Sequence, residues 1–344
     1  MTFEILNPLD IPDWDDLVLA TGKASFFHSS AWARVLNESY GYKPVYFSSF
    51  ENGKLTALMP VMEVNSWLTG KRGVSLPFTD QVSTIAPDRT FFEKLVKGVT
   101  EYGENAGWKY IEWRSGSVFP EEVIASESHY THELNLLKTE KELFSGLRDS
   151  TRRNIKKATK AGVSVEISQS LDPIKAFYRL NCITRKRHGL PPQPFSFFDK
   201  VFEHVISKDH GIVVSGLNSG KVIASAVFFH FGKKAIYKYG ASDLAHQEMR
   251  ANNLIMWEAI KWCRDSGFKT FNFGRTEPEN EGLLQFKRGW GGEESQLKYH
   301  RYGMKKKAFQ GGRASADGLV NKAFARIPVG ALRFIGSLLY RHVG

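Results

Sequence analysis

The sequence predicts an α/β protein of two tandem domains, each a mixed sheet flanked by helices, and two repeated stretches predict it. Asn52-Gly-Lys-Leu-Thr-Ala57 and Ser219-Gly-Lys-Val-Ile-Ala224 match in residue type, each between β-rich runs, 44–50 then 55–64 and 211–217 then 222–231. Asn-Gly and Ser-Gly between alternating strands are hairpin turns, because glycine accepts the positive φ the turn requires. Further on, Gly107-Trp-Lys-Tyr-Ile-Glu-Trp-Arg114 parallels Gly267-Phe-Lys-Thr-Phe-Asn-Phe-Gly-Arg275. Both follow helical segments, 91–105 and 253–266, and both glycines stand where a helix C-cap belongs. Hairpin, helix and Gly-aromatic-Lys strand thus occur twice in the same order. A hairpin followed by a helix and a parallel return strand builds a mixed sheet with helices on its faces.

That order of elements is also the order of the GNAT acyltransferase fold, although a fold alone does not establish a reaction. The chain has 344 residues, about twice a usual single domain, so each copy has length enough for its own core. The boundaries expected are 1–137 and 138–311 for two GNAT-like domains, with the site in the second, and 312–344 for a basic amphipathic C-terminal helix.

Composition narrows the partners. With 42% apolar and 24% charged residues the chain reads as globular, but its net charge of +11 points to an anionic partner: nucleic acid, phosphorylated substrate or membrane surface. Cys182 and Cys263 are lone thiols without CxxC spacing, which favours a reducing cytoplasm and disfavours a zinc site. Met-Thr-Phe-Glu at the start has neither a basic nor an apolar signal region, and no apolar run approaches the roughly 20 residues that span a bilayer. A cytoplasmic protein, with peripheral contact to the inner membrane as a further reading, is expected.

The basic charge is concentrated. Thr139 and Glu142 form a capping box before a short helix with Leu143, Phe144 and Leu147 on its inner side. From Arg148 to Lys160 there follow six basic residues against one acidic, Asp149. Little in this helix can pack, so it faces solvent or an anion. A solvated face is the ordinary reading; its one-signed charge makes Arg152, Arg153, Lys156 and Lys157 candidates for phosphate or nucleic-acid contact. The helix 172–189 ends in Arg185-Lys-Arg-His188 before Pro191-Pro-Gln-Pro194. Tyr178 and Arg185 suit an anionic ligand, and equally a basic last turn simply offsets the helix dipole. In the tail, Phe324, Ile327, Ala331, Ile335 and Leu338 recur at helical spacing opposite Lys322, Arg326, Arg333 and Arg341, with a bend at Pro328. Such a helix fits a membrane interface or the surface of the first domain.

No Walker loop, HExxH, GxSxG or DxDxDG loop is present, so phosphoryl transfer, zinc proteolysis and serine hydrolysis lack support. Gln247-Glu-Met-Arg-Ala-Asn-Asn253 stands where a coenzyme A enzyme of the GNAT type has a glycine-rich pyrophosphate turn, which disfavours a coenzyme A donor. Several pieces then carry a resemblance: Phe27-His-Ser-Ser-Ala-Trp32, Leu76-Pro-Phe-Thr-Asp80, Arg152-Arg-Asn-Ile-Lys-Lys157, Tyr239-Gly-Ala-Ser242, Asn253 with Trp257, Phe271-Asn-Phe-Gly274, and Phe286-Lys287 before Gly289. In their order they resemble the FemAB family of aminoacyl-tRNA-dependent peptidyltransferases, built from two GNAT-like domains, and its Gram-negative branch, part of which accompanies exopolysaccharide systems.

The resemblance implies an acyl or aminoacyl transferase forming an amide on a phosphate-bearing envelope precursor. Its donor would be aminoacyl-tRNA or acyl-CoA, with no metal and no DNA partner. It places Lys287, in a glycine-closed turn with Phe286, at the catalytic centre. Attack of an amine on an ester builds negative charge on the carbonyl oxygen, and a fixed ammonium there stabilises the transition state. Tyr239, Ser242 and Arg275 are the candidates for orienting the acceptor, with Tyr237 in the core. Asp80 either reaches the cleft between the domains or closes an Asx turn. A phosphate or membrane binder without catalysis is the reading from another class.

Overall fold

The computed structural model describes residues 2–114, 119–312 and 318–344. They form two compact units, Met1–Tyr130 with Gln296–Ala314 and Leu339–Gly344, and Thr131–Ser295 with Ser315–Leu338. The expected single cut at 137/138 and the independent tail are replaced by an exchange of segments. Its cause is strand pairing: Tyr110–Trp113 recruits the later strand Glu293–Gly303, with His300 opposite Trp113 and Tyr302 opposite Ile111. An edge left bare at Tyr110–Trp113 would expose unpaired backbone groups.

In the first unit the strand order is Glu4–Leu6, Lys43–Glu51, Lys54–Val64, Arg72–Val74, Tyr110–Trp113, then 296–303 with Ala308–Gln310 beside it. Arg72–Val74 and Tyr110–Trp113 run parallel. The helix Arg89–Asn105 buries Phe91, Phe92, Leu95 and Val99 against Phe47, Met59, Val61 and Trp113. In the second unit the order is 131–135, Thr270–Asn272, Lys234–Ser242, Lys221–Phe231, Gly211–Asn218, Ser164–Ser168. Lys234–Ser242 and Thr270–Asn272 are parallel, and the helix Ala251–Asp265 between them packs on the strands Gly211–Asn218 and Lys221–Phe231, with Leu254, Ile255, Ala259 and Ile260 in the core.

The repeat is therefore structural. Asn52-Gly53 and Ser219-Gly220 close their hairpins with positive φ at both residues, 51° and 75° in one, 48° and 75° in the other. Gly107 and Gly267, at φ 73° and 78°, end the two helices in the left-handed conformation that glycine adopts without cost. Each hairpin carries a bulge before its turn, at Ser49/Phe50 and at Gly216/Leu217.

The tail forms two helices, Gly318–Arg326 and Val329–Val343, separated at Pro328 as expected. The buried side differs from the expected one. Leu332 is fully covered and Gly336 lies so close to the Pro192 carbonyl that an added Cβ would approach within 2.0 Å, whereas Leu338 and Ala331 face outward. The closing residues lock into the first unit. Arg72, itself buried, donates to the carbonyls of His342 (2.8 Å) and Gly344 (2.7 and 3.0 Å). No helix among the described residues is long and apolar enough to cross a membrane.

Candidate functional site

A cleft of about 480 Å³ opens in the second unit where the strand Lys234–Ser242 outlasts its parallel partner. A one-residue bulge shapes its floor: Tyr237 faces Phe228 and Tyr239 faces Val227, leaving Lys238 unmatched. Tyr237 therefore lies in the cleft wall, its hydroxyl packed so tightly on Gly240 that a Cβ there would fall within 1.8 Å. Burial pushes the Tyr237 phenol up to about 12, so it remains neutral.

Two helices point their N-termini into this space. Asp149–Lys160 starts behind Arg148, and Ala251–Asp265 behind Arg250; neither arginine caps its helix with its side chain, and both line the cleft. Unsatisfied amides and the positive end of each helix dipole favour an anion, and two guanidinium groups add to the same field. Arg250 adopts φ 58°, a left-handed conformation that costs a residue with a Cβ about 1–2 kcal/mol. One carboxylate, Asp243, also lines the cleft. The Ala245 amide, with Lys221 and His246, holds its carboxyl below the usual range.

The third wall is the helix Glu281–Arg288, started by Asn280, whose side chain accepts the Leu283 amide (3.2 Å). Phe286 and Lys287 thus stand on a helix rather than in the expected turn, since nothing from 283 to 288 breaks helical geometry. Phe286 faces the cleft and rests edge-on against Trp290 at 5.8 Å. Lys287, one position on, turns inward, is 2% exposed, and its Nζ donates to the carbonyls of Gly274 (3.0 Å) and Arg275 (2.9 Å). Gly274 presents these carbonyls with φ 69°, and its own amide donates to Asn272 Oδ1 at 2.7 Å. Beyond Lys287, buried His132 meets Glu294 at 2.8 Å, and Glu294 takes a bidentate contact from Arg288. Burial, then the charges of Lys287 and Arg288, lower the His132 pKa against the pull of Glu294. The Arg148 amide donates to the Gly289 carbonyl (3.0 Å), and a Cβ at Gly289 would lie 2.4 Å from Thr151 Oγ1, so this glycine lets the two helices meet.

Every residue lining the cleft falls between 145 and 288, the span matched by a family model described as an acetyltransferase (GNAT) domain. Lipid II:glycine glycyltransferase of Staphylococcus haemolyticus is 34% identical over 79 residues, 21% of this chain and 19% of that protein. UDP-N-acetylmuramoylpentapeptide-lysine N(6)-alanyltransferase of Weissella viridescens is 23% identical over 139 residues, 40% of this chain and 41% of that protein. The matched segments thus span less than half of either relative. In fold, the chain superposes on the crystal structure of FemX with a TM-score of 0.67 at 14% identity, covering 87% of this chain and 97% of that one. A tandem GNAT protein from the clavulanic acid biosynthesis pathway gives 0.56 at 10% identity, covering 88% and 98%. The chain carries a GNAT domain and is similar to FemAB proteins.

In this FemAB-like protein the cleft gathers part of the sequence-predicted set. Phe286 and Ser242 line it, with Ser242 Oγ accepting from Asn252 (3.2 Å). Tyr239 does not: the bulge turns its ring to the other face, among Phe177, Phe197, Phe198 and Phe229. Tyr237, expected in the core, does pack against it, beside Phe228, and also lines the cleft. Arg275 contributes its carbonyl to Lys287 and does not line the cleft. Tyr178 sits under the Arg333 guanidinium (5.3 Å), with burial pushing its phenol up to about 12, and Arg185 donates to the Pro191 carbonyl (3.4 Å), both outside the cleft. Asp80 belongs to the first unit, where its carbonyl accepts the Tyr299 hydroxyl. Arg152 is engaged by Asp149 and the Ser145 carbonyl (2.8 Å), while Arg153, Lys156 and Lys157 are exposed on the helix flank. The residues sequence reasoning missed are Arg148 and Arg250. Arg148 belongs to the basic run, and the run itself holds no sign that this residue stands at the helix N-cap position.

Proposed function

We propose that this FemAB-like protein is an acyltransferase that forms an amide on a cell-envelope precursor, with aminoacyl-tRNA as donor. The observation that carries this reading is the convergence of two arginine-started helix N-termini on one cleft walled by Phe286. Such a cleft suits an acyl group carried beside phosphate. The acceptor amine attacks the ester carbonyl, a C–N bond forms, the C–O bond to the ribose breaks, and the amine's proton passes to the leaving oxygen. Phe286 excludes water from the ester. Lys287 lies behind Phe286 as a fixed, buried cation that stabilises the oxyanion electrostatically. Ser242 and Asn252 offer hydrogen bonds to the substrate, and Arg153, Lys156 and Lys157 meet flanking tRNA phosphates, with Arg152 holding their helix in place. Both relatives are named for transfer of an amino acid, one for a glycyl transfer on lipid II and the other for an alanyl transfer on a UDP-N-acetylmuramoylpentapeptide lysine. The reading sets the reaction in the cytoplasm, beside the inner membrane.

A second reading, an acyl-CoA-dependent N-acyltransferase of envelope or exopolysaccharide synthesis, is favoured by the match to a GNAT domain, since the same helix ends suit a pyrophosphate. Thermal denaturation separates the two. Charged tRNA and a nucleotide-linked wall precursor are expected to raise Tm, and acetyl-CoA at millimolar concentration is not. Strong stabilisation by acetyl-CoA with none by tRNA overturns the first reading.

A further inference from the structure

We infer that the first unit carries a docking patch for anionic phospholipid, built from Trp67 and Leu68 together with the closing turn of the C-terminal helix. This deepens the reading above, and rests on it only for the idea that the acceptor lies at a bilayer. Trp67 is 86% exposed and Leu68 and Val343 are each 52% exposed, a combination that water disfavours. The loop that presents them is firmly held. Ser66 Oγ lies 2.9 Å from His342 Nδ1 and accepts the Thr69 amide (2.9 Å), Thr69 Oγ1 donates to the His342 carbonyl (2.9 Å), and Gly70 closes the turn onto the Ser66 carbonyl (2.7 Å). Trp67 is therefore displayed, its ring edge-on to His342 at 5.4 Å, and not loosely placed.

Cations surround it. Lys109 donates to the Thr69 carbonyl (3.0 Å), Lys71 follows the loop and also pairs with Glu63 (3.1 Å), and Arg341 is exposed beside His342. An indole and two aliphatic side chains inside a basic rim match a bilayer of anionic lipid, where the ring settles at the headgroup boundary and each cation near the surface adds attraction. Leu68 and Val343 have no hydrogen-bonding group for a base edge, and their aliphatic surface suits acyl chains better than RNA. It also revises the expected membrane contact: the contact is a loop and one helical turn, not the length of an amphipathic helix.

The test is co-sedimentation of the full chain with vesicles rich in phosphatidylglycerol and with vesicles of phosphatidylcholine alone. Binding to the first is expected, weakening with salt. The pair Trp67→Ser and Leu68→Ser should lower partitioning by about tenfold or more with Tm unchanged, and Arg341→Glu should lower it further. No sedimentation with the anionic vesicles, equal binding by the double variant, or displacement of vesicles by tRNA at the patch overturns the proposal. Transfer to a water-soluble acceptor reads out the other reading: the double variant should retain it, and its absence in the wild-type chain with lipid binding intact would sink the enzymatic reading while leaving the patch.

Discussion

In the first unit the helix Arg89–Asn105 starts behind Asp88, whose carboxylate accepts the Phe91 amide at 2.7 Å. In the second, the matching helix Ala251–Asp265 starts behind Arg250, with left-handed backbone and no side-chain cap. The scaffold is the same, and one residue at the N-cap separates a helix end that is already satisfied from one that is open to a ligand. An acid there supplies its own anion; an arginine leaves the dipole available and adds a charge of the same sign. A second contrast follows the return strands. Arg114 pairs with buried Glu112 at 2.8 Å, and Arg301 meets the same carboxylate, so the first unit's return strand gathers its cations on an acid. Lys287 in the second unit instead is held by the backbone carbonyls of Gly274 and Arg275. The two copies thus share a scaffold, and the second opens the cleft in which the proposed reaction is set.

The largest effect should come from that lysine. Lys287→Met is expected to lower kcat by about 10²-fold with little change in donor KM, the low end of what loss of a direct oxyanion donor costs, because Lys287 acts from behind Phe286. It should also lower stability by about 1–3 kcal/mol, because the Gly274 and Arg275 carbonyls lose their donor. A variant with lowered Tm and unchanged kcat would reduce Lys287 to a brace for the 274–275 turn.

Next is the cap itself. Arg250→Asp copies the first unit's solution and should raise the donor KM by about tenfold to a hundredfold through charge reversal. Arg250→Gly should weaken the donor less while gaining about 1 kcal/mol of stability, since glycine holds φ 58° without strain. Opposite signs for binding and Tm are what the comparison requires. If both variants keep the wild-type donor KM, the two helix ends are equivalent in function and the contrast collapses.

These same positions explain what the sequence disclosed. Hairpins and helix ends were readable because Asn52-Gly53, Ser219-Gly220, Gly107 and Gly267 are local demands of backbone geometry, written in residue type. Tyr239 was misassigned because its facing depends on an extra residue, Lys238, and a bulge is settled by pairing with Phe228 and Val227 on another strand. Arg250 drew attention only as a departure from a glycine-rich turn, because the meaning of an arginine at an N-cap depends on where the helix begins. The tail's buried side turned away from the expected one because Gly336, which counts as neutral in a pattern of apolar spacing, is the residue that allows the closest approach.

A smaller effect compares one buried histidine in each unit. Burial holds His300 in the first unit and His230 in the second down to about 4, against an ordinary 6.5. Both are neutral when folded, while the unfolded chain takes up protons as pH falls below 6.5. Their contribution to stability is therefore complete above pH 6.5 and declines as pH falls toward 4. His230→Phe, replacing a ring that packs on Phe268 at 4.8 Å, should flatten the fall of Tm between pH 6.5 and 4.5, and adding His300→Phe should flatten it more. An unchanged slope in the double variant would show that other groups carry the acid sensitivity.

The smallest effect is the most pointed control. Asp88→Ala removes the cap of the first unit's helix and should cost about 1 kcal/mol, the usual value for an N-cap carboxylate, read as a shift of a few degrees in Tm. Donor and acceptor kinetics should be unaffected, because the helix end that Asp88 closes is assigned no ligand. Asp88→Arg goes further and gives the first unit the charge of the second. It should lose the same stability without creating a donor site, because the second unit's cleft also needs a second helix start at Arg148 and the bulge at Lys238. Were Asp88→Arg to gain tRNA or coenzyme A binding, the cap residue alone would define the site, and the second helix and the bulge would become accessories. Retained selectivity of the second unit is the result that makes the site a property of three converging elements.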